Sequence, residues 1–128
     1  MKIVADTNIP YVRECFSELG EVVLSPGRQM TAGLVRDADA LLVRSVTPVN
    51  SALLDGSRVK FVGTATIGFD HVDRMYLDSR GIGFASAPGS NANSVGEYIV
   101  AAMHALADKL GFRLEGKSIG IVGVGNVG

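Results

Sequence analysis

Short apolar runs recur along the chain and are separated by segments whose apolar residues are spaced as in helices. The runs cover residues 3–5, 22–24, 40–43, 61–63, 84–85 and 119–122. Uninterrupted runs of this length are typical of strands that are buried on both faces of a parallel sheet. Between them, helices are predicted over residues 10–19, 31–36, 50–54 and 72–79. The alternation predicts an α/β fold in which helices cover both faces of a parallel sheet.

The first five predicted strands end before Ala87 and are expected to form a flavodoxin-like parallel sheet. A longer helix is predicted over residues 94–110, with Ser94 and Glu97 as its capping box. Its apolar residues share one helical face and are Ile99, Ala102, Met103, Leu106 and Leu110. A final strand is predicted over residues 118–122. We therefore predict one domain over residues 1–92, followed over residues 93–128 by the first helix and strand of a truncated Rossmann domain.

Single residues predict where the shorter helices begin and end. Asp70 is expected to cap the helix that starts near His71. Gly20 and Gly81 follow predicted helices, at positions where a left-handed residue commonly ends a helix. Asp6 follows the first strand and either caps the next helix or orients a loop, of which capping is the preferred interpretation.

Composition mainly excludes functions. The composition is that of a folded globular chain, with 47% hydrophobic residues, 20% charged residues and a mean hydropathy of +0.28. The length of 128 residues is that of one domain and is too short for a complete two-domain enzyme. With 12 Lys and Arg against 13 Asp and Glu and no basic run, a nucleic acid partner is not expected. No stretch approaches the roughly 18 apolar residues of a membrane span, and no signal peptide is visible, so a cytoplasmic protein without membrane contact is expected. Cys15 is the lone cysteine, and no metal motif is present.

The strongest local motif is G-x-G-x-x-G after the last predicted strand. Gly123, Gly125 and Gly128, with the amides of Asn126 and Val127, suit the close approach of a dinucleotide pyrophosphate. The helix that should follow the motif and supply its positive dipole end is missing from the sequence, as is the acidic residue that would hold the ribose. For this chain a glycine-rich strand end without ligand is the preferred interpretation, and little dinucleotide affinity is expected.

Two further segments combine groups that suit an anionic ligand. Arg44 and Ser45 follow the third strand, where a guanidinium and a hydroxyl can bind phosphate or carboxylate. Thr66 and Gly68 follow the fourth strand and could form a small anion nest. Ligands of open parallel sheets collect at the carboxyl ends of strands, which favours a binding site at these two loops. A surface arginine beside a helix-capping serine is the alternative for Arg44 and Ser45.

The remaining candidate residues are weaker. His71 is more readily a plain first-turn residue than a catalytic base, because a helix start disfavours imidazolium. His104 is expected on the flank of the long helix, solvated or at a domain junction. Cys15 has no activating neighbour in the sequence.

Several segments together resemble the NAD-dependent D-2-hydroxyacid dehydrogenases. They are residues 42–45, 63–73, 81–82, 87–97 and 114–128, and the resemblance extends over the whole chain. The resemblance implies a substrate domain that is built from both ends of a longer chain and interrupted by a Rossmann domain. It also implies NAD as cofactor and a phosphorylated small-molecule 2-hydroxy acid as substrate. A homo-oligomer is expected of the full-length protein.

The resemblance also assigns roles by position. Ser45 and Thr66 would contact substrate, with Arg44 and the Gly68 loop near its anionic groups. The five residues of the glycine motif would face the cofactor. The arginine, histidine and carboxylate with which the family catalyses hydride transfer have no counterpart in residues 1–128, so no catalytic residue is expected here and the isolated chain should not turn over.

Three alternatives remain open. A free-standing flavodoxin-like regulatory module, such as a phospho-receiver, would need an acidic pair after the first strand and a lysine after the fifth. The chain has Asp6 alone in the first place and Ser86 in the second. Another alternative is an interaction piece that binds through the exposed stripe of the long helix. A different D-2-hydroxyacid dehydrogenase substrate is also compatible with the family resemblance.

Overall fold

A computed structural model of the chain describes residues 1–123 and Gly125. The chain divides into two compact units, Met1–Ala87 and Pro88–Gly128. The first unit contains β1 (Lys2–Asp6), α1 (Val12–Phe16), β2 (Glu21–Ser25), a 3-10 turn (Gly27–Gln29), α2 (Ala32–Val35), β3 (Ala40–Val43), α3 (Ser51–Leu54), β4 (Phe61–Thr64), α4 (Arg74–Ser79) and β5 (Gly83–Ala85). The second contains α5 (Ala92–Leu110).

The sheet of the first unit is five-stranded and parallel, with strand order β2-β1-β3-β4-β5. This is the flavodoxin-like order that the sequence predicts. Parallel neighbours in direct register bring Val4 beside Val23 and Leu41, and Val43 beside Thr64. All strands therefore end at one edge of the sheet, and the loops that follow them lie at that edge.

The core of this unit lies on both sides of the central strands. On one face Val4, Leu41 and Val62 pack with Leu54 and Leu77 from α3 and α4. A second cluster occupies the other face, and its buried members are Ile3, Ala5, Val12, Val22, Ala40 and Leu42. Full burial of each large aliphatic side chain contributes about 1.5–3 kcal/mol, so these two clusters provide the main stabilisation of the sheet.

The last two strands are less buried than the sequence predicts. β1 and β3 are almost completely buried, whereas Phe61 of β4 is 40% exposed and β5 is half-buried or exposed along its length. A groove of about 380 Å³ lies beside them, and its lining includes Leu42, Phe61, Gly63 and Ala85. The prediction that these strands are buried on both faces is therefore wrong for β4 and β5, because Phe61, Gly63 and Ala85 line this open groove.

Three short helices begin with a side-chain cap. The amides of Leu34, Leu53 and Tyr76 donate to the side chains of Thr31, Asn50 and Asp73, respectively. The prediction that Asp70 caps the fourth helix is wrong: Asp73 does so, and α4 starts at Arg74. The reason is tertiary, because Val72 forms a bridge to Val49 and is held in extended backbone ahead of the helix.

The predicted helix ends at glycines have two outcomes. Gly81 has φ 65° and follows α4, as predicted. Gly20 has φ 156°, which is not the left-handed helical value. Glycine is needed at position 20 because the backbone there lies close to Met1. A Cβ at Gly20 would collide with the carbonyl oxygen of Met1.

The second unit differs from the prediction at both ends. α5 begins at Ala92, and the side chain of the preceding Asn91 makes no capping hydrogen bond; Ser94 lies inside the helix, so the predicted capping box does not form. Gly111 ends the helix with φ 70°, and its amide donates to the carbonyls of Ala107 and Asp108. Residues 118–122 form no strand, because a strand needs a neighbouring strand with which to exchange hydrogen bonds.

Part of the apolar face of α5 is solvent-exposed. Ile99, Leu106 and Leu110 are all exposed, as are Tyr98 and Val100. Along residues 1–123, no helix combines the length and apolar character that a membrane span requires.

Candidate functional site

Polar residues follow or end the strands at the carboxyl edge of the sheet. Asp6 pairs with Ser25 and Val43 pairs with Thr64 in the parallel ladders, and all four residues are buried. The loops after β3 and β4 leave neighbouring strands, and the amide of Ala65 donates to the carbonyl oxygen of Val43 at 2.9 Å. The two predicted anion-binding loops therefore begin side by side, as the sequence predicts for parallel strands.

The loop after β3 is fixed at its far end by a buried threonine. The amide of Thr47 donates to the carbonyl of Arg44 at 3.2 Å, which closes a turn. The hydroxyl of Thr47 donates to the carbonyl of Gly27 at 2.9 Å in the loop after β2. This anchoring leaves Ser45 exposed and Arg44 half-buried. Among the described residues Arg44 forms no ion pair, so its guanidinium is available to an anionic ligand.

The loop after β4 is organised by side-chain hydrogen bonds. The hydroxyl oxygen of Thr64 lies 2.8 Å from that of Thr66 and 3.1 Å from Nε2 of His71. The Thr66 hydroxyl donates to the carbonyl of Gly68 at 3.2 Å. A Cβ added at Gly68 would meet nothing within 4 Å, so the backbone there is open to approach. Thr66 is thus held in place from both sides.

His71 lies in this network rather than in a helix. It precedes α4, and its carbonyl accepts a 2.8 Å hydrogen bond from the amide of Val49. Desolvation by burial lowers the pKa of His71 below its ordinary value, and the charge of Asp70 opposes this shift in part. The interpretation of His71 as a plain first-turn residue is therefore wrong. The missed contact joins residues 64 and 71, and local spacing carries no signal for it.

Asp6 is the second residue whose role differs from the sequence interpretation. Its Oδ1 accepts from the amide and side chain of Asn8 at 2.9 and 3.1 Å, so the carboxylate orients the loop after β1 and does not cap α1. The other oxygen, Oδ2, is buried and has no hydrogen-bond partner among the described residues. A Cβ at Gly27 would lie 2.5 Å from this oxygen, 2.7 Å from Val46 Cγ2 and 2.8 Å from Thr47 Oγ1. Gly27 is thus required by the close packing of these three side chains.

The glycine motif is described only in part. Gly123 has φ 88°, which favours glycine, and a Cβ at Gly123 or Gly125 would meet nothing within 4 Å. The predicted cofactor residues Asn126, Val127 and Gly128 lie outside the described residues. Because residues 118–122 form no strand, the described part of the motif lacks the strand that should lead into a pyrophosphate-binding turn. The residues described here do not form a dinucleotide site.

Within the described part of the chain, nothing supports a metal site or a site at Cys15 or His104. Between residues 1 and 123, no three His, Cys, Asp or Glu side chains are grouped as metal ligands. Cys15 and His104 are both exposed. The candidate site therefore comprises the loops after β3 and β4.

Comparison with known proteins shows the family to which the chain belongs. The sequence profile described as "D-isomer specific 2-hydroxyacid dehydrogenase, catalytic domain" matches residues 2–110. Two curated relatives, the erythronate-4-phosphate dehydrogenases of Chromohalobacter salexigens and Salinibacter ruber, are each 58% identical to the chain over 128 residues. The alignments cover 100% of this chain and 33% of each relative, so the chain spans about a third of their length.

Solved structures show the same fold. A 3-phosphoglycerate dehydrogenase of Entamoeba histolytica with bound NAD+ has a TM-score of 0.70 and 28% identity, over 99% of this chain and 47% of that one. The apo form of an Escherichia coli D-lactate dehydrogenase has a TM-score of 0.71 over 91% of this chain and 43% of that one. Its identity of 20% makes it evidence for the fold alone.

Proposed function

Because the chain belongs to the D-isomer specific 2-hydroxyacid dehydrogenases, we propose that it forms the amino-terminal part of an enzyme that oxidises erythronate 4-phosphate to its 2-oxo acid. The observation that carries this proposal is the 58% identity to erythronate-4-phosphate dehydrogenases over all 128 residues. In this proposal, residues 1–92 belong to the substrate domain and residues 93–128 begin the cofactor domain. The reaction would serve the biosynthesis of pyridoxal phosphate.

The geometry supports a substrate-binding role for the loops after β3 and β4. Arg44 can present a planar fork of donors to a carboxylate or phosphate, and it has no ion pair among the described residues. Ser45 adds an exposed hydroxyl, and Thr66 adds a hydroxyl that its neighbours hold in place. Together with the open backbone at Gly68, these groups place several hydrogen-bond donors at one edge of the sheet. A guanidinium and several hydroxyl and amide donors are suited to an acid that carries several negative charges.

NAD is the cofactor that the proposal assigns to the whole enzyme. Family membership supports it, as does the bound NAD+ of the Entamoeba histolytica relative. Gly123, Gly125, Asn126, Val127 and Gly128 are the residues of this chain that would approach it. Since the described residues do not form the site, we expect the 128-residue chain alone to bind the dinucleotide weakly. The catalytic groups are proposed to belong to the remainder of the enzyme.

Family membership also favours this function over two of the alternatives. A phospho-receiver of the same topology is no longer favoured, because its acidic pair and lysine are absent from the strand ends while the family profile matches residues 2–110. A different 2-hydroxy acid as substrate is less favoured than erythronate 4-phosphate, because the solved relatives with other substrate names are 28% identical or less.

Substrate binding can be tested on the 128-residue chain itself. We expect erythronate 4-phosphate to shift the amide NMR signals of residues 44–47 and 64–69, with inorganic phosphate and unphosphorylated erythronate as weaker competitors. Ser45→Ala and Thr66→Ala should each weaken binding about tenfold, the loss of one hydrogen bond to a charged ligand. Ser79→Ala is the matched control, because its exposed hydroxyl bonds within α4 to the carbonyl of Tyr76. Equal affinity of all three variants would contradict the proposed site.

The activity can be tested in a chimera. The chain replaces the matching third of the Chromohalobacter salexigens relative, and NAD reduction is followed with erythronate 4-phosphate, D-lactate and 3-phosphoglycerate. We expect activity with the first substrate and a lower kcat/KM after Ser45→Ala. A chimera that folds but prefers D-lactate would contradict the proposed substrate. NAD reduction above a blank by the 128-residue chain alone would contradict its assignment as a part without catalytic groups.

A further inference from the structure

His71 is the end of a chain of hydrogen bonds that leads to the proposed substrate residue Thr66. The contacts are 3.1 Å from His71 Nε2 to the Thr64 hydroxyl oxygen, 2.8 Å from there to the Thr66 hydroxyl oxygen, and 3.2 Å to the carbonyl of Gly68. Thr64 is buried as the last residue of β4, and the imidazole is half-buried. The sheet therefore holds Thr64 in place. The loop after β4 carries the other three residues of this series of hydrogen bonds, which are His71, Thr66 and Gly68.

Counting protons gives the direction of these hydrogen bonds. Each threonine hydroxyl has one proton to donate, and a carbonyl can only accept. Since Thr66 donates to Gly68, the bond between the two threonines must be donated by Thr64. The Thr64 proton is then used, so the contact with the ring must be donated by Nε2 of His71. The three contacts form together only when His71 carries a proton on Nε2.

When the hydrogen bonds run in this direction, the hydroxyl of Thr66 is able to donate to an anion. Its oxygen accepts from Thr64, and its own proton is directed at the carbonyl of Gly68 in an exposed contact. Rotation about one bond would move that proton from the carbonyl to a ligand oxygen. A hydroxyl that already accepts a hydrogen bond is a stronger donor, because consecutive hydrogen bonds polarise one another. The opposite direction would make Thr66 donate to Thr64, and its oxygen would then repel an anion.

We propose that His71 is a positioning residue: through Thr64 it holds the hydroxyl of Thr66 as a donor for an anionic oxygen of the substrate. The proposal rests on the proposed function, in which Thr66 contacts substrate. His71 itself does not touch the ligand. Its own position is fixed by the backbone, because its carbonyl accepts from Val49 and the amide of Asp73 donates to the carbonyl of Val49, both at 2.8 Å.

The hydrogen-bond direction can be measured without ligand. Long-range 1H–15N NMR correlations of the ring distinguish a proton on Nε2 from one on Nδ1. In the 128-residue chain above pH 7 we expect the Nε2–H form, and in Thr64→Val we expect a mixture of both. The Nδ1–H form in the unsubstituted chain would overturn the proposal, whatever the ligand does.

The effect on binding is tested with erythronate 4-phosphate in the same chain. His71→Leu removes the donor and should weaken binding about tenfold, whereas His71→Gln places an amide donor near Nε2 and should restore affinity to within about threefold. Thr64→Val should weaken binding as much as His71→Leu, and the double variant should lose no more than either. Amide spectra establish that each variant is folded.

The outcomes separate this proposal from the proposed function. If Ser45→Ala and Thr66→Ala weaken binding but His71→Leu does not, the positioning role is wrong and the substrate site stands. If His71→Gln loses as much affinity as His71→Leu, the ring acts by packing, which also overturns the positioning role. If erythronate 4-phosphate binds equally to the unsubstituted chain and to Thr66→Ala, the proposed site itself fails.

Discussion

The hydroxyl of Thr47 donates a 2.9 Å hydrogen bond to the carbonyl oxygen of Gly27 and joins the loops that follow β3 and β2. These strands are not neighbours, because β1 lies between them. The bond therefore crosses the end of β1 and fixes the turn that presents Arg44 and Ser45.

We expect Thr47→Val to lower the free energy of unfolding of the first unit by about 1–3 kcal/mol, because the buried carbonyl of Gly27 loses its donor. Thr47→Ser keeps the hydroxyl and should retain most of the stability. Urea unfolding, followed through amide NMR signals of Met1–Ala87, measures both. Equal losses in the two variants would mean that the methyl group, not the hydrogen bond, is the stabilising part.

Gly27 and Gly33 provide a matched pair of glycine substitutions. Gly27→Ala places a methyl group 2.5 Å from Asp6 Oδ2 and 2.7 Å from Val46 Cγ2, so we expect a loss of about 1–3 kcal/mol in unfolding free energy. Gly33 lies in α2, and its nearest neighbour to an added Cβ is 4.0 Å away. Gly33→Ala should therefore stabilise the chain by about 0.5–1 kcal/mol, because alanine is the better helix former.

The opposite signs in these two glycine variants are the critical result. A stabilising Gly27→Ala would show that Asp6, Val46 and Thr47 can move apart at little cost. The turn after β3 would then be less rigid than the close packing at Gly27 indicates.

Asp39 should make stability depend on pH in the acid range. Its carboxylate accepts from the backbone amide of Lys2 and from Arg58, each at 2.8 Å. The hydrogen bond from Lys2 is the largest cause of a pKa below the ordinary 3.8, and Arg58 adds to it. The native state therefore binds fewer protons than the unfolded state, so this stabilisation is present above about pH 3.8 and is lost as the pH falls through the lowered pKa.

Replacing the carboxylate tests this assignment. We expect Asp39→Asn to lower stability at neutral pH and to flatten the acid limb of the curve of unfolding free energy against pH. Asp78→Asn is the control, since the ion pair of that exposed carboxylate within the described part of the chain is a 3.5 Å contact with Arg74 on the same helix. An acid limb that is unchanged in Asp39→Asn would assign the pH dependence to other carboxylates.

Leu77 and Met75 compare a buried and an exposed position on α4. Leu77 is fully buried in the core, whereas Met75 is 86% exposed. Leu77→Ala should cost about 2–5 kcal/mol in unfolding free energy, because it removes transfer energy and leaves a cavity. Met75→Ala should change it by less than about 0.5 kcal/mol. Similar effects at both positions would contradict the packing of α4 on the sheet.

The sequence was most informative where the residue pattern itself determines the structure. Apolar runs at 3–5 and 40–43 predict the central strands, because burial on both faces requires apolar residues at every position. The carboxyl ends of parallel strands share an edge, so the meeting of the Arg44 and Thr66 loops could be predicted as well.

The wrong predictions involve contacts between distant residues. Asp70 and Asp73 both precede α4, and the bridge between Val49 and Val72 decides which of them caps the helix. The apolar run at 119–122 resembles a strand, but among the described residues it has no neighbouring strand with which to pair. The contact of His71 with Thr64 depends on how a loop folds back on β4, which spacing along the chain does not report.

Thr64 belongs both to the last pair of the β3–β4 ladder and to the hydrogen bonds that hold Thr66. Occupancy of the proposed site is therefore coupled by mass action to the cooperative melting of the whole sheet. Ligand at one hundred times its dissociation constant would add about 2.7 kcal/mol to the native state, and the midpoint temperature should rise accordingly. A thermal-shift screen of phosphorylated sugar acids would thus rank candidate substrates without any turnover.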